Sequence, residues 1–319
     1  MGNRALIPDL ASLFARHEKA VLAFSGGKDS LVCLHLCRPY RDKLTVAWVN
    51  TGAMFPHMVA FVRKAAEGFN YVELKSDVEA WRRKLGEPSD IVPTFNSLAG
   101  IGLDPLRSRM AIQPWTTCCL ENRNLPILRY AEASGATLSI HGQRKSDAVM
   151  SAFVTRVHQG SPVELCPLIA DWSDDDVFRY IAEHGIELPK QYNANPPALR
   201  SLECWSCTAL LDESDRLDYT RVHHPELWAR LRPRLLAVYQ VMREAANGTA
   251  RVLGGVLRAE GEARAALVAN LQAELQSDGE GSSGAREVKA DTAYTWIEAA
   301  DNDAAPQHGT AVPGGTTRP

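Results

Sequence analysis

The chain has 319 residues, 45% of them hydrophobic and 23% charged, with a formal net charge of -3 and a pI near 6.3. That length and apolar content give room for one large packed domain with accessories, and the near-neutral balance removes any general argument for non-specific binding to nucleic acid. Residues 1–20 mix Arg4, Asp9, Arg16, Glu18 and Lys19 with apolar positions, a pattern of neither a secretion signal nor a membrane span, so the cytosol is the expected compartment and no membrane partner is expected.

In chain order, apolar residues recur at helical spacing from Ala5 to Arg16, and Ala20 to Phe24 then reads as a short buried strand. That strand runs into Ser25-Gly26-Gly27-Lys28-Asp29-Ser30, after which Leu31 to Cys37 has helical character, Leu44 to Val49 reads as a second strand and Met58 to Ala66 as a second helix. Between Lys84 and Pro114 the periodicity is broken by Pro88, Pro93, Gly100, Gly102 and Pro105, which predicts loops or short helices. Leu138 to His141 reads as another buried strand, and Ser173 to His184 as a helix capped by Ser173 with Asp176 three residues on. Strand-helix alternation of this kind favours an α/β fold, a doubly wound parallel sheet with ligands at the carboxyl ends of its strands. The expected organisation is a nucleotide-binding domain over 1–214, a helical extension over 215–276 and a disordered tail over 277–319, where Gly, Ser, Asp and Pro dominate. Within the extension Asp215 to Gly248 is expected to be helical, and Ala250 to Gln276 suits a further helix.

A Gly-Gly turn between strand and helix points backbone N–H groups at one place and adds the positive end of the helix dipole, which suits phosphate. Lys28 adds a mobile charge, Ser25 and Ser30 add hydroxyls, and Asp29 suits a Mg²⁺-bound water. Lys28 is expected to project into solvent from this nest. The Walker spacing is absent.

Seven cysteines in a reducing compartment suggest metal or redox chemistry rather than disulfides. Cys118 and Cys119 are adjacent, and Cys204-Trp205-Ser206-Cys207 is a C-x-x-C; four thiolates of this kind suit Zn²⁺ or an iron–sulfur cluster, and the adjacent pair is awkward for a zinc knuckle. Cys33 and Cys37 lie one helical turn apart and are expected in the core, while Cys166 is given no role.

The hexapeptide at Ser25 is the PP-loop signature of the adenine nucleotide α-hydrolase superfamily. Val49-Asn50-Thr51-Gly52-Ala53-Met54-Phe55-Pro56, Gly142-Gln143-Arg144-Lys145-Ser146 and Pro167-Leu168-Ile169-Ala170-Asp171-Trp172-Ser173 with Asp176-Val177 resemble further segments of the PAPS reductase family, over about residues 20 to 212. Where Asn50 stands, the family's usual residue is Asp. The resemblance implies a Rossmann-like fold, adenosine against Asn50, Thr51 and Gly52, and Arg144 at the phosphate or sulfate end, where a guanidinium fork fits a tetrahedral oxyanion. For Asp171 and Trp172, a helix-entry carboxylate and a packed indole are equally good readings. The cysteine set resembles the [4Fe–4S] ligands of adenylyl-sulfate reductases, with zinc as the alternative.

No cysteine follows Cys207, whereas sulfonucleotide reductases attack sulfur with a cysteine near the C-terminus. The resemblance therefore favours the superfamily's other chemistry. An acceptor attacks the α-phosphorus of Mg-ATP, with Lys28 and Arg144 neutralising the pyrophosphate, in sulfur metabolism or sulfur transfer. The alternatives are a PAPS or adenylyl-sulfate (APS) reductase using an external thiol, a sulfate adenylyltransferase small subunit, which normally lacks the cysteine quartet, and an inactive nucleotide sensor. Implied partners are ATP, APS or PAPS, a thioredoxin-like or sulfur-donor protein, and a nucleic-acid acceptor that the charge balance does not support.

Overall fold

The computed structural model describes residues 9–91, 111–147, 154–211 and 214–259. Contacts divide the chain into two compact units, Met1–Arg251 and Val252–Pro319. Of the second, only the helical residues 252–259 are described. The expected tail over 277–319, and most of the helix expected over 250–276, therefore lie outside the described residues.

The first unit is built on a parallel sheet. After helix α1 (Leu10–Arg16) come β1 (Ala20–Ala23), α2 (Lys28–Leu36), β2 (Leu44–Asn50), α3 (Pro56–Ala65) and β3 (Asn70–Lys75). Then follow α4 (Val78–Leu85), β4 (Glu87–Ser89), β5 (Ile112–Pro114), α5 (Trp115–Cys119), α6 (Leu125–Ala133), β6 (Leu138–His141), β7 (Glu164–Pro167) and α7 (Asp174–Glu183). The five-stranded sheet has the order β3-β2-β1-β6-β7, so the chain turns back between β1 and β6. At that reversal the connections leave toward opposite faces and open a crevice above the strand ends. The broken stretch between Lys84 and Pro114 holds the short parallel pair β4 and β5 where loops or short helices were expected.

Alternation along the central strands separates two cores. Leu22, Val46, Trp48 and Ile140 face Leu34 of α2, Met58 and Val62 of α3, and Val177 and Ile181 of α7. Val21 and Ala47 face Leu128 and Ala131 of α6. Leu22 and Val46 are register partners and fully buried, each contributing about 1.5–3 kcal/mol from apolar burial. Helices on both faces make the sheet doubly wound, as the alternation of the sequence implies.

α7 begins where the sequence places it. Ser173 caps it in a reciprocal box: its hydroxyl accepts from the Asp176 N–H at 3.1 Å, and Asp176 Oδ2 accepts the Ser173 N–H at 2.9 Å. Two helices follow, α8 (Ser214–His223) and α9 (Pro225–Ala259), and the last residues of α9, from Val252, belong to the second unit. They replace the single expected helix because the residue before a proline avoids the α region while Pro225 itself opens a helix well. Arg234 of α9 ties back to the domain through Glu79 at 3.0 Å and Glu87 at 2.8 Å.

Ser173→Ala removes the cap and should cost about 1 kcal/mol, read as a lower urea midpoint at unchanged m-value. The Ser173 hydrogen bonds hold the Asp176 carboxyl below its ordinary range, so the deficit should persist at neutral pH and shrink only as pH falls below the ordinary carboxyl range and Asp176 protonates. An unchanged midpoint at neutral pH would contradict the capping role.

Candidate functional site

A cleft of about 1450 Å³ opens over the carboxyl ends of β1, β2 and β6. Ligand pockets commonly measure about 300–1,000 Å³, so it has room for a nucleotide and a second reactant. Ser25, Lys28, Asp29, Ser30, Thr51 and Arg144 line it, together with Phe24, Trp48 and Met54.

The loop differs from an open nest. The Gly27 N–H donates to Ser25 Oγ at 3.3 Å and the Lys28 N–H to the Tyr192 hydroxyl at 3.0 Å, so two amides expected to face phosphate already have protein partners. Ser30 Oγ donates to the Gly27 carbonyl at 3.0 Å. The glycines are required by packing: Gly26 has φ +78°, and a Cβ there would lie 2.7 Å from Val62 Cγ2, while one on Gly27 would lie 2.7 Å from Ser201 Cβ.

Lys28 does not project into solvent. Its side chain is 9% exposed, and Nζ sits 2.8 Å from Asp29 Oδ2 and 3.0 Å from Asp174 Oδ1. Burial of the stem leaves the ammonium costly without partners, and the two carboxylates supply them. Arg144, 5% exposed, joins the same pair, with Nε 3.1 Å from Asp29 Oδ1 and Nη2 3.1 Å from Asp174 Oδ1. The loop after β1 and the segment after β6 thus deliver two cations to one point.

Asp174 is the residue that sequence reasoning missed; its only signal was its place directly after the Ser173 cap. Tyr192 was also missed, and nothing in its surroundings in the sequence marks it. His141 lines the cleft too, but burial and the neighbouring His158 push its pKa down to about 3, so it stays neutral. Trp172 is packed in the core and Asp171 pairs with Lys145.

The second-strand segment divides. Asn50 turns its amide to Glu73 at 2.9 Å and accepts the Gly52 N–H at 3.0 Å, and neither Asn50 nor Gly52 lines the cleft. Thr51 does, and its hydroxyl lies 3.2 Å from Cys204 Sγ. Met54 bridges to Cys204, and the Trp205 N–H donates to the Ala53 carbonyl at 2.9 Å.

Cys118, Cys119, Cys204 and Cys207 line one cavity of about 50 Å³ with Arg82, Arg123 and Arg216. Trp115, Arg123, Ser201, Glu203 and Leu210 belong to the walls of both this cavity and the cleft. Cys118 and Cys119 end α5, and a π-helical turn over Leu120–Asn124 follows. It swings Asn122 back to the Cys118 carbonyl at 3.0 Å and carries Arg123 beside Cys119 and onto Glu203. Burial pushes the Cys118 thiol up to about 11 and raises Cys119 and Cys204 as well. Buried guanidinium groups stand beside these thiols: Arg82 pairs with Glu79 at 3.3 Å and Arg123 with Glu203, while Arg82 Nε has no hydrogen-bond partner among the described residues. The guanidinium donors that line the cavity with the four thiols fit an anionic thiolate-ligated group. Among the described residues no group of three or more His, Cys, Asp or Glu side chains is arranged to hold a single metal ion. Cys33 and Cys37 are buried in the core, as expected from their spacing, with Cys37 pushed up to about 12.

The profile of the phosphoadenosine phosphosulfate reductase domain family matches residues 19–210, more than half of the chain. The chain belongs to that family. It is similar to sulfate adenylyltransferase subunit 2 of Hyphomonas neptunium, with 26% identity over 223 residues covering 65% of each protein. It is also similar to the protein of that name from Mycobacterium bovis, with 29% identity covering 57% of this chain and 60% of the relative. The chain thus spans somewhat less than two thirds of the length of these relatives. A crystal structure of phosphoadenylyl-sulfate (PAPS) reductase from Candida auris, a phosphate complex, superposes with a TM-score of 0.39 at 17% identity, covering 58% of this chain and 81% of the other. Among the described residues no helix is long and apolar enough to cross a membrane.

Lys28→Ala should weaken ATP binding by about 1.5–3 kcal/mol, the scale of a charged hydrogen bond. It should also lower the melting temperature, because Asp29 and Asp174 are left sharing Arg144. Titration calorimetry and a thermal melt read the two effects, and unchanged ATP affinity would remove Lys28 from the site.

Proposed function

We propose that this is a PP-loop enzyme that binds ATP in the cleft and cleaves it between the α- and β-phosphates, in sulfur metabolism or sulfur transfer. An acceptor oxygen attacks the α-phosphorus, the bond to the bridging oxygen breaks, and the products are an adenylylated acceptor and pyrophosphate. The observation that carries this reading is the convergence of Lys28 and Arg144 at the reversal of the sheet. Two fixed cations in a partly dry site stabilise charge that accumulates on a leaving pyrophosphate, and positioning supplies much of the remainder. Similarity to proteins named sulfate adenylyltransferase subunit 2 supports adenylylation and makes sulfate the first acceptor to test.

Reduction of a bound sulfonucleotide finds less support. No cysteine is among the residues that line the cleft. Burial raises Cys33, holds Cys37 near 12 and, with Glu164, holds Cys166 near 11, whereas an attacking thiol must reach the thiolate state. A reductase reading would need a thiol from a partner protein.

The proposal includes a [4Fe–4S] cluster on Cys118, Cys119, Cys204 and Cys207, with zinc as the alternative. When bound, the cluster would supply one-electron redox chemistry. This chain's own part is to gather the four thiols in one cavity and to fasten Cys204 to the nucleotide-facing loop at Thr51 and Met54.

Protein purified without oxygen should contain iron and acid-labile sulfide, both lost in Cys118→Ser and Cys207→Ser, whereas zinc without sulfide would refute the cluster. Given Mg-ATP and sulfate, the protein should release pyrophosphate. Sulfite from APS with a thiol reductant, and no pyrophosphate from ATP, would overturn the adenylylation reading in favour of reduction.

A further inference from the structure

Where Lys28 and Arg144 meet, the charges are already matched. Lys28 and Arg144 carry two positive charges, and Asp29 and Asp174 return two negative ones. An entering phosphate therefore meets little net attraction unless one carboxylate withdraws. The two are not equivalent. Asp29 lies within the loop, its side chain 26% exposed, with its two oxygens divided between Lys28 and Arg144. Asp174 approaches from α7, its side chain 62% exposed, and a single oxygen, Oδ1, lies 3.0 Å from Lys28 Nζ and 3.1 Å from Arg144 Nη2.

One oxygen shared by an ammonium and a guanidinium is the arrangement a phosphate oxygen would make. Arg144 Nη1, itself buried, has no hydrogen-bond partner among the described residues, so the guanidinium retains a donor that Asp174 does not satisfy. The exposed carboxylate can leave cheaply. Asp174 is the first residue of α7, where the helix dipole favours a negative charge whether or not it contacts Lys28.

Resting on the reading that the cleft takes a phosphate-bearing nucleotide, we propose that the Asp174 carboxylate is an internal stand-in for a ligand oxyanion and is displaced from Lys28 and Arg144 on binding. Asp174 therefore sets the affinity of the site for anions, and Asp29 remains as the fixed counter-charge. The cleft wall also carries Asp90, Asp147, Asp175, Glu203 and Asp215, of which Asp147 has Oδ1 3.8 Å from Arg144 Nη2. Lys28 and Arg144 hold Asp174 below its ordinary carboxyl range against the opposing effect of burial, so it competes as an anion at neutral pH.

Titration calorimetry of inorganic pyrophosphate without divalent metal tests the proposal. Asp174→Asn, and independently Asp174→Ser, should bind pyrophosphate about tenfold or more tightly than the unaltered protein, because a like charge at the site is removed. Asp175→Asn, which alters charge in the same cleft without touching either cation, should change affinity by much less. Unchanged or weaker pyrophosphate binding in both Asp174 variants overturns the proposal, as does equal tightening in Asp175→Asn, which would reduce the effect to general charge. The nucleotide reading is checked separately by ATP titration of the unaltered protein. If that protein binds ATP and the variants do not tighten, only the stand-in role fails. If the variants gain pyrophosphate binding while ATP never binds, only the nucleotide reading fails.

Discussion

Two cations, Lys28 and Arg144, are buried at the reversal of a parallel sheet, and each needs carboxylates within hydrogen-bond reach to stay there. That requirement fixes much of the surrounding architecture. It brings the start of α2, the segment after β6 and the start of α7 to one point, and it explains why α7 must be capped firmly at Ser173. The side chains that would hold an anion are thus also those that hold three chain segments together, so binding and local stability are coupled.

The cleft and the cysteine cavity are adjacent parts of one structure. The loop after β2 lines the cleft at Thr51 and touches the thiols at Cys204, and Arg123 lies in both walls. Leu210, also in both walls, has φ +60°, held by Asp90 accepting the Leu210 N–H at 2.7 Å and the Leu211 N–H at 3.1 Å. Non-glycine residues in that conformation cost about 1–3 kcal/mol and persist only where surroundings impose them. On the far side, Glu79 accepts from Ser206 Oγ at 3.0 Å and from Arg234 at 3.0 Å, linking the C-x-x-C segment to α9. Any group bound to the thiols would therefore sit on the scaffold that shapes the cleft.

The sequence was most legible where burial is symmetrical. β1, β2 and β6 are covered on both faces and read as mostly apolar runs, broken only by Thr45 and Asn50 in β2 and by Ser139 and His141 in β6, and Leu138–His141 was located to the residue. β3 and β7 escaped notice because they are edge strands: Asn70–Lys75 and Glu164–Pro167 expose part of their length, carry charges and, in β7, a proline that an edge tolerates. The phosphate loop was legible as text, but its state was not. A Lys beside two glycines reads as a free arm until Asp174 arrives from far along the chain, and ion pairing between distant segments leaves no local pattern. The same holds for Tyr192, which reaches the Lys28 amide from a segment with no periodic signal.

The central claim is that the Lys28 and Arg144 cations form the phosphate end of a nucleotide site. The most direct measurement is a crystal structure with a non-hydrolysable ATP analogue bearing a methylene group between the α- and β-phosphorus. The account predicts β- and γ-phosphate oxygens within hydrogen-bond distance of Lys28 Nζ and Arg144, with the adenosine in the same cleft on the side of Thr51. A nucleotide bound elsewhere, with the Lys28–Asp29–Asp174–Arg144 cluster intact beneath empty space, would contradict it.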